Sequence, residues 1–399
     1  MQIIVLTLSL FYILGIMSSV HAVMYARTSQ GAIAWALSLI TLPYLAVPAY
    51  WIFGRRKFEG YILARKAVSD NPDLIPDELK DAYAPYISNY GDIHPETRAA
   101  EKLALLPLMN RNDCELLIDG EATFRSIFSG ISEAEEYVLV QFYIVHADEL
   151  GNELKSRLIK KAKQGVRIYF LYDELGSLGL PATYIDGLRD AGIYVSPFNT
   201  RKGKRNRFQL NFRNHRKIVV VDDKTTWIGG HNVGNEYLGK DPKIGKWRDT
   251  HARIEGPAAL AAQSSFLEDY FWATSDKPKV NWAPIASHQG DMSVLIMPTG
   301  PADELETALL MFVHIINSAR ERIWISSPYF VPDEAIMSAL TLARLRGLDV
   351  RIIIPEMPEM ARQVLAERKE LSSVERLLIH TALLFGQSFT AKQYRDDSP

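Results

Sequence analysis

Two uninterrupted apolar stretches open the chain, and beyond them the apolar positions fall into short runs of alternating strand and helix periodicity. Residues 1–26 contain no Asp, Glu, Lys or Arg, and after Arg27 a second uncharged stretch occupies 28–54. A helix rising about 1.5 Å per residue needs roughly 20 apolar residues to cross a hydrocarbon core of about 30 Å. The pattern therefore predicts a two-helix transmembrane hairpin within 1–56, with spans near 3–23 and 33–53. Pro43 and Pro48 are tolerated in such helices when neighbouring groups satisfy the freed carbonyls, and Trp35, Tyr50 and Trp51 fit interfacial anchors. Arg55, Arg56, Lys57, Arg65 and Lys66 crowd behind the second span while the turn carries only Arg27, which places the large domain on the cytoplasmic side. A cleaved signal peptide ending at Val20-His21-Ala22 is the alternative; it lacks a basic n-region and is followed at once by a second apolar span.

Residues 57–110 mix charges with Pro72, Pro76, Pro85 and Pro95 and read as a connecting region. In the next unit, 111–285, the run 136–144 predicts a buried strand, 152–164 a helix and 166–172 a second strand. This alternation implies an α/β sandwich with a largely parallel or mixed sheet. The same order recurs in 290–356: a strand over 321–330, a helix over 333–346 and a strand over 350–355, offset by 184 to 186 residues. The chain thus reads as one complete and one partial copy of a single domain, followed by a helical tail at 357–399.

Composition narrows the function classes. A formal charge of −2 gives no global basic field for nucleic acid, so anion binding must come from a local cluster. Arg201, Lys202, Lys204, Arg205, Arg207, Arg213, Arg216 and Lys217 form one, eight cations in 17 residues without an acid. Beside a phosphate motif and a membrane anchor it suits anionic lipid head groups, although charge alone would attract nucleic acid equally well. The single cysteine, Cys114, excludes an intramolecular disulfide.

Between the two copies lies Asn214-His215-Arg216-Lys217-Ile218-Val219-Val220-Val221-Asp222, followed by Gly229-Gly230-His231-Asn232. On a strand, period two puts His215 and Lys217 on one face. The pair suits a phosphodiester: an imidazole attacks phosphorus while an ammonium neutralises the non-bridging oxygens in the transition state. Neither a metal nor another cofactor is required.

H-x-K-x4-D followed by Gly-Gly-x-Asn resembles the signature of the phospholipase D superfamily. The uncharged hairpin, Ala34-Trp35, Leu42-Pro43-Tyr44, Phe53-Gly54-Arg55, and Trp247-Arg248-Asp249-Thr250-His251 with Glu255-Gly256-Pro257 are similar to bacterial cardiolipin synthases, over residues 1–356. The resemblance implies a phospholipase D-type mixed-sheet sandwich in the bacterial inner membrane. It implies phosphatidyl transfer between two phosphatidylglycerol molecules, giving cardiolipin and glycerol through a phosphohistidine. Carried over by position, it makes His215 the nucleophile, Lys217 and Asn232 the phosphate-binding groups and Asp249 the carboxylate that orients His215. Asp222 is counted with the motif, with a role more structural than catalytic, and Arg213 and Arg216 join the substrate-binding set. Gly230 stands where many relatives have serine.

The sequence departs from that family after Pro355. In the first copy 49 residues separate Val166 from His215, so the second motif is expected near position 399, where the sequence instead ends without it. His380 is followed by Thr381-Ala382 rather than by x-Lys. A truncated or frameshifted reading frame is the expectation. Three functions follow: the family enzyme, with two chains sharing a site as a homodimer; a catalytically dead or dimer-dependent membrane protein that binds anionic lipid; or a membrane-tethered phosphodiesterase or nuclease.

Overall fold

The computed structural model describes residues 2–25, 29–54, 61, 82–89, 94–198, 213–242, 244–288, 290–300, 303, 305–327 and 330–354. The basic residues expected behind the second span, the cations at 201–207, and the tail 357–399 with His380 lie outside them.

Alternate residues of the central strands are buried on opposite sides of one sheet, which is what organises the first copy. Its strands are β1 (Met109–Ile118), β2 (Tyr137–Phe142), β3 (Arg167–Asp173), β4 (Tyr194–Phe198), β5 (Ile218–Val221), β6 (Thr225–Gly229), β7 (Thr250–Glu255) and β8 (Met292–Val294), in the spatial order β4-β3-β2-β5-β6-β7-β1-β8. β2, β3 and β4 run parallel, whereas β5 to β7 and β1 pair antiparallel, so the sheet is mixed. All six residues of β2 are buried, as expected for a strand covered on both faces. Val138, Val140 and Phe142 join a core with Phe124, Ile127, Leu154 and Leu158 from α-helices at Asp119–Glu133 and Glu149–Ala162, while Tyr137 and Leu139 meet Phe266, Leu267 and Tyr270 of the helix Ala259–Thr274. Each fully buried side chain of this size contributes roughly 1.5–3 kcal/mol.

The second copy contains β9 (Arg322–Ser326) and β10 (Asp349–Ile353), parallel and in register Ile323↔Val350, joined by a helix at Glu334–Leu345. Asp333 caps that helix by accepting from the Ile336 amide at 3.0 Å.

The N-terminal segment differs from the expected hairpin. The first apolar stretch forms α1 (Gln2–Tyr25), but the second is divided into α2 (Ser29–Thr41) and α3 (Pro43–Phe53). Leu42, between them, has φ −134 and ψ 57. A proline ring disfavours helical backbone at the preceding residue and removes a donor; at Pro43 the helix breaks, whereas Pro48 is accommodated within α3. Among the described residues no helix is long and apolar enough to cross a membrane.

Candidate active site

Loops from one edge of the sheet converge here: the C-terminal ends of β2, β3 and β6, and the segments entering β5 and β7. His215 and Lys217 do not lie within a strand, as the sequence pattern suggests, because the β2–β5 ladder stops at Gln141↔Ile218. The preceding residues 213–217 are held by side chains instead. The alternation nevertheless persists. Asn214 and Arg216 turn one way, into hydrogen bonds with Asp269 at 2.7 Å and 2.8–2.9 Å, and His215 and Lys217 turn the other. His215 lies flat on Tyr143, with ring centroids 3.8 Å apart and planes 19° from parallel. Lys217 Nζ sits 5.5 Å from the centre of the same ring and donates to the His215 carbonyl at 2.7 Å.

The electrostatics suit these two groups to phosphate chemistry. Partial burial holds the His215 imidazole below its ordinary pKa, helped by the Lys217 and Arg213 charges and opposed by Asp173. Burial also lowers the Lys217 ammonium to about 8, against the opposing field of Asp249. At neutral pH the imidazole is therefore unprotonated and nucleophilic while the lysine remains cationic. Activity that depends on this pair is expected to fall as the pH rises through about 8 and to fall at acid pH only below the ordinary histidine value. A kcat/KM profile between pH 5 and 9 checks both limbs.

Asn232 is buried and fixed: its Oδ1 accepts from the Ile144 amide at 3.0 Å and its Nδ2 donates to the Tyr237 hydroxyl at 2.8 Å. One amide hydrogen is left for a ligand. Asp249 accepts from the Thr250 amide at 2.8 Å and from Trp247 Nε1 at 3.4 Å. Among the described residues its hydrogen bonds do not reach His215, so its influence on the pair is through the charge felt by Lys217. Its carboxylate lies where a Cβ on Gly230 would be. Serine here requires Asp249 to move.

Two members of the predicted set are placed elsewhere. Asp222 lies at the far end of β5, where it accepts from the amides of Glu135, Glu136 and Tyr137 at 2.6–2.9 Å. Arg216 is 18% exposed and committed to Asp269, on the side of the segment away from His215. Arg213 stays near His215, whose pKa its charge helps to lower.

The structure also adds residues. Asp173, at the end of β3, accepts from the Leu175 and Gly176 amides at 3.0 and 2.9 Å and from the Asn214 amide at 3.0 Å, which fixes the backbone just before His215. A carboxylate ending a buried parallel strand was the signal available for it. Behind the glycine turn, His231 and His251 are 0% and 1% exposed, with Nδ1 atoms 3.3 Å apart. Among the described residues neither Nε2 has a hydrogen-bond partner. Burial pushes both below the usual histidine range, His251 to about 3. Because an unfolded chain protonates these rings near pH 6.5 and the folded one does not, stability is expected to fall as pH drops from about 6.5 towards 3. Unfolding midpoints at pH 7 and pH 5 test this, with H251Q flattening the dependence.

Comparisons with known proteins show the family. A family model described as "Cardiolipin synthase, PLD-like domain" matches residues 127–244 and 312–389, and one described as "Phospholipase_D-nuclease N-terminal" matches 10–55. Cardiolipin synthase A of Pseudomonas syringae pv. syringae (strain B728a) is 46% identical over 357 residues, 88% of this chain and 74% of the relative. Cardiolipin synthase A of Pseudomonas putida (strain W619) is 47% identical over the same shares. Among solved structures, phosphatidylserine synthase of Haemophilus influenzae Rd KW20 aligns with a TM-score of 0.45 and 18% identity, over 72% of this chain and 71% of that one. With 46% identity sustained over 88% of its length, a mixed sheet of the expected kind and the H-x-K pair of the motif, His215 and Lys217, together at one end of the sheet, the chain belongs to the cardiolipin synthase family of the phospholipase D superfamily.

Proposed function

We propose that this protein transfers a phosphatidyl group between two phosphatidylglycerol molecules, giving cardiolipin and glycerol, with His215 as the nucleophile. The observation that carries the assignment of roles is the His215 ring stacked on Tyr143 with the Lys217 ammonium beside it over the same ring. In the first half-reaction the imidazole nitrogen bonds to phosphorus, the P–O bond to the glycerol head group breaks, and the departing oxygen takes a proton. Lys217 and the remaining Asn232 amide hydrogen hold the non-bridging oxygens, whose charge must be stabilised throughout. In the second, the terminal hydroxyl of another phosphatidylglycerol attacks phosphorus, loses its proton and breaks the P–N bond. The proton donor and acceptor is the role that the family resemblance gives to a second histidine. Conversion of labelled phosphatidylglycerol to cardiolipin in vesicles is the test; glycerol release without cardiolipin would replace transfer by hydrolysis.

The same reading seats α1 to α3 in the bacterial inner membrane, with the sheet domain on its cytoplasmic side. The face that α1 turns inward is small and polar and the exterior of the three helices is apolar, with Leu39, Val47 and Tyr50 also buried between them. Gly15, Ser18, Ser19 and Ala22 face inward, while Leu10, Ile13, Ile16, Met17, Val20, Ile33, Leu37 and Leu45 are all more than half exposed. Polar groups are paired inside, as in Trp51 Nε1 to Ser18 at 3.0 Å and His21 with the Tyr50 hydroxyl at 2.7 Å. Small and polar contacts inside an apolar exterior suit a hydrocarbon solvent. Retention in the membrane pellet after alkaline carbonate extraction is expected, and release into the supernatant would refute the seat.

A further inference from the structure

Asp269 is 1% exposed, near the C-terminal end of the helix Ala259–Thr274, yet it is engaged by side chains from three other parts of the chain. Tyr61 donates to it at 2.5 Å, Gln141 of β2 at 2.7 Å, Asn214 at 2.7 Å and Arg216 Nη1 at 2.8 and 2.9 Å. Arg216 Nη1 also reaches the Tyr61 hydroxyl at 3.1 Å. Two of these donors are the residues on either side of His215. The helix does not depend on this polar cluster for its packing, because Ala262, Phe266, Leu267 and Tyr270 already bury its apolar face on the sheet. The segment 213–217, by contrast, has no ladder to hold it, since strand pairing begins at Ile218. Gripping Asn214 and Arg216 from one side leaves His215 and Lys217 no direction but the other, onto Tyr143.

We propose that Asp269 is the positioning residue for the nucleophile: with Tyr61 as an additional donor, it clamps Asn214 and Arg216 so that the imidazole between them is held against Tyr143 in its reactive place. The proposal rests on the assignment of His215 as nucleophile. A buried ion pair is often replaceable by apolar groups without loss of stability, whereas a displacement on the order of 1 Å at a reacting group costs about 100-fold in rate. These two expectations separate a positioning role from a structural one.

The test uses the full chain in detergent micelles with phosphatidylglycerol. D269N/R216M removes both charges together, so that neither is left buried alone. The expected result is a kcat lower by about 100-fold with KM within about threefold, while the unfolding midpoint stays near that of the wild type. The pKa of His215, followed by NMR of 13C-labelled histidine, should rise toward the ordinary value as the ring leaves Tyr143; Lys217, Arg213 and Asp173 are the charges that surround it. Y61F, which leaves the ion pair in place, should move kcat and the titration in the same direction by a smaller amount, and decides the matter if the double variant does not fold. A folded variant with unchanged kcat and unchanged His215 titration overturns the proposal. Should the wild type form no cardiolipin, the functional reading fails, and the titration still decides the role of Asp269.

Discussion

Alanine at His215 is expected to abolish cardiolipin formation, a loss on the order of 1,000-fold or more, because the phosphorus–nitrogen bond of the first half-reaction then has no nitrogen to form on. The fold should be unaffected. His215 is exposed and, among the described residues, its ring stacks on Tyr143 alone, so the unfolding midpoint should stay within about 2 °C of the wild type, as for surface substitutions generally. Lys217→Met should cost about 100-fold to 1,000-fold in kcat, as removal of one preorganised donor to a developing oxyanion does elsewhere. The measurement is product formation from labelled phosphatidylglycerol alongside thermal unfolding in the same detergent. More than a tenth of the wild-type rate in H215A would exclude the histidine as nucleophile.

The largest loss of stability is expected from Asp222→Ala, with no specific loss of chemistry. Its carboxylate accepts from three successive amides, Glu135, Glu136 and Tyr137, at the point where β2 enters the sheet. Removing it leaves these donors without their partner, and hydrogen bonds to a charged group contribute about 1.5–3 kcal/mol each before compensation by water. The backbone adds to this. Asp222 has φ +49, a left-handed conformation that aspartate tolerates better than alanine. The net loss should be about 3 kcal/mol or more, with D222N intermediate because one acceptor oxygen remains and asparagine accepts the same φ. Denaturant titration measures it. Per folded molecule, kcat should remain within about threefold of the wild type, and a selective collapse of kcat in a stable D222N would return Asp222 to the chemistry.

Most of the scaffold was legible because its signals are local. The run 136–144 is apolar without interruption, the mark of a strand covered on both faces, and Tyr137–Phe142 is the central strand β2. The second copy followed from its offset, since Val350-Arg351-Ile352 repeats Val166-Arg167-Ile168, and β9 and β10 pair parallel as β2 and β3 do. The break at Leu42 was readable from Pro43 in principle. Transmembrane helices tolerate proline, a rule that does not say where a given helix bends.

For the site, the sequence supplied the chemistry and the alternation. Spacing alone put His215 and Lys217 on one side of the backbone, and the same spacing put Arg216 on the other, although its charge had grouped it with the substrate-binding cations. Asp222 and Asp249 show the limit. Both are acidic residues at motif positions, yet one caps the entry to β2 at the end of β5 remote from His215 and the other packs over Gly230 near Lys217. Nothing in their spacing distinguishes them.

What the sequence determined by itself was the family and the two strand–helix–strand units, because periodicity and motif spacing act over a few residues and are written directly in the chain. Only the tertiary structure decided what holds His215. Asp173, Asp269, Tyr143 and Tyr61 come from β3, a later helix, the end of β2 and the connecting region, and they meet the 213–217 segment only when the sheet closes. Burial there then sets the states of the site, with His215 lowered and Lys217 brought to about 8. Desolvation depends on atoms packed from every side, and no stretch of sequence contains them together.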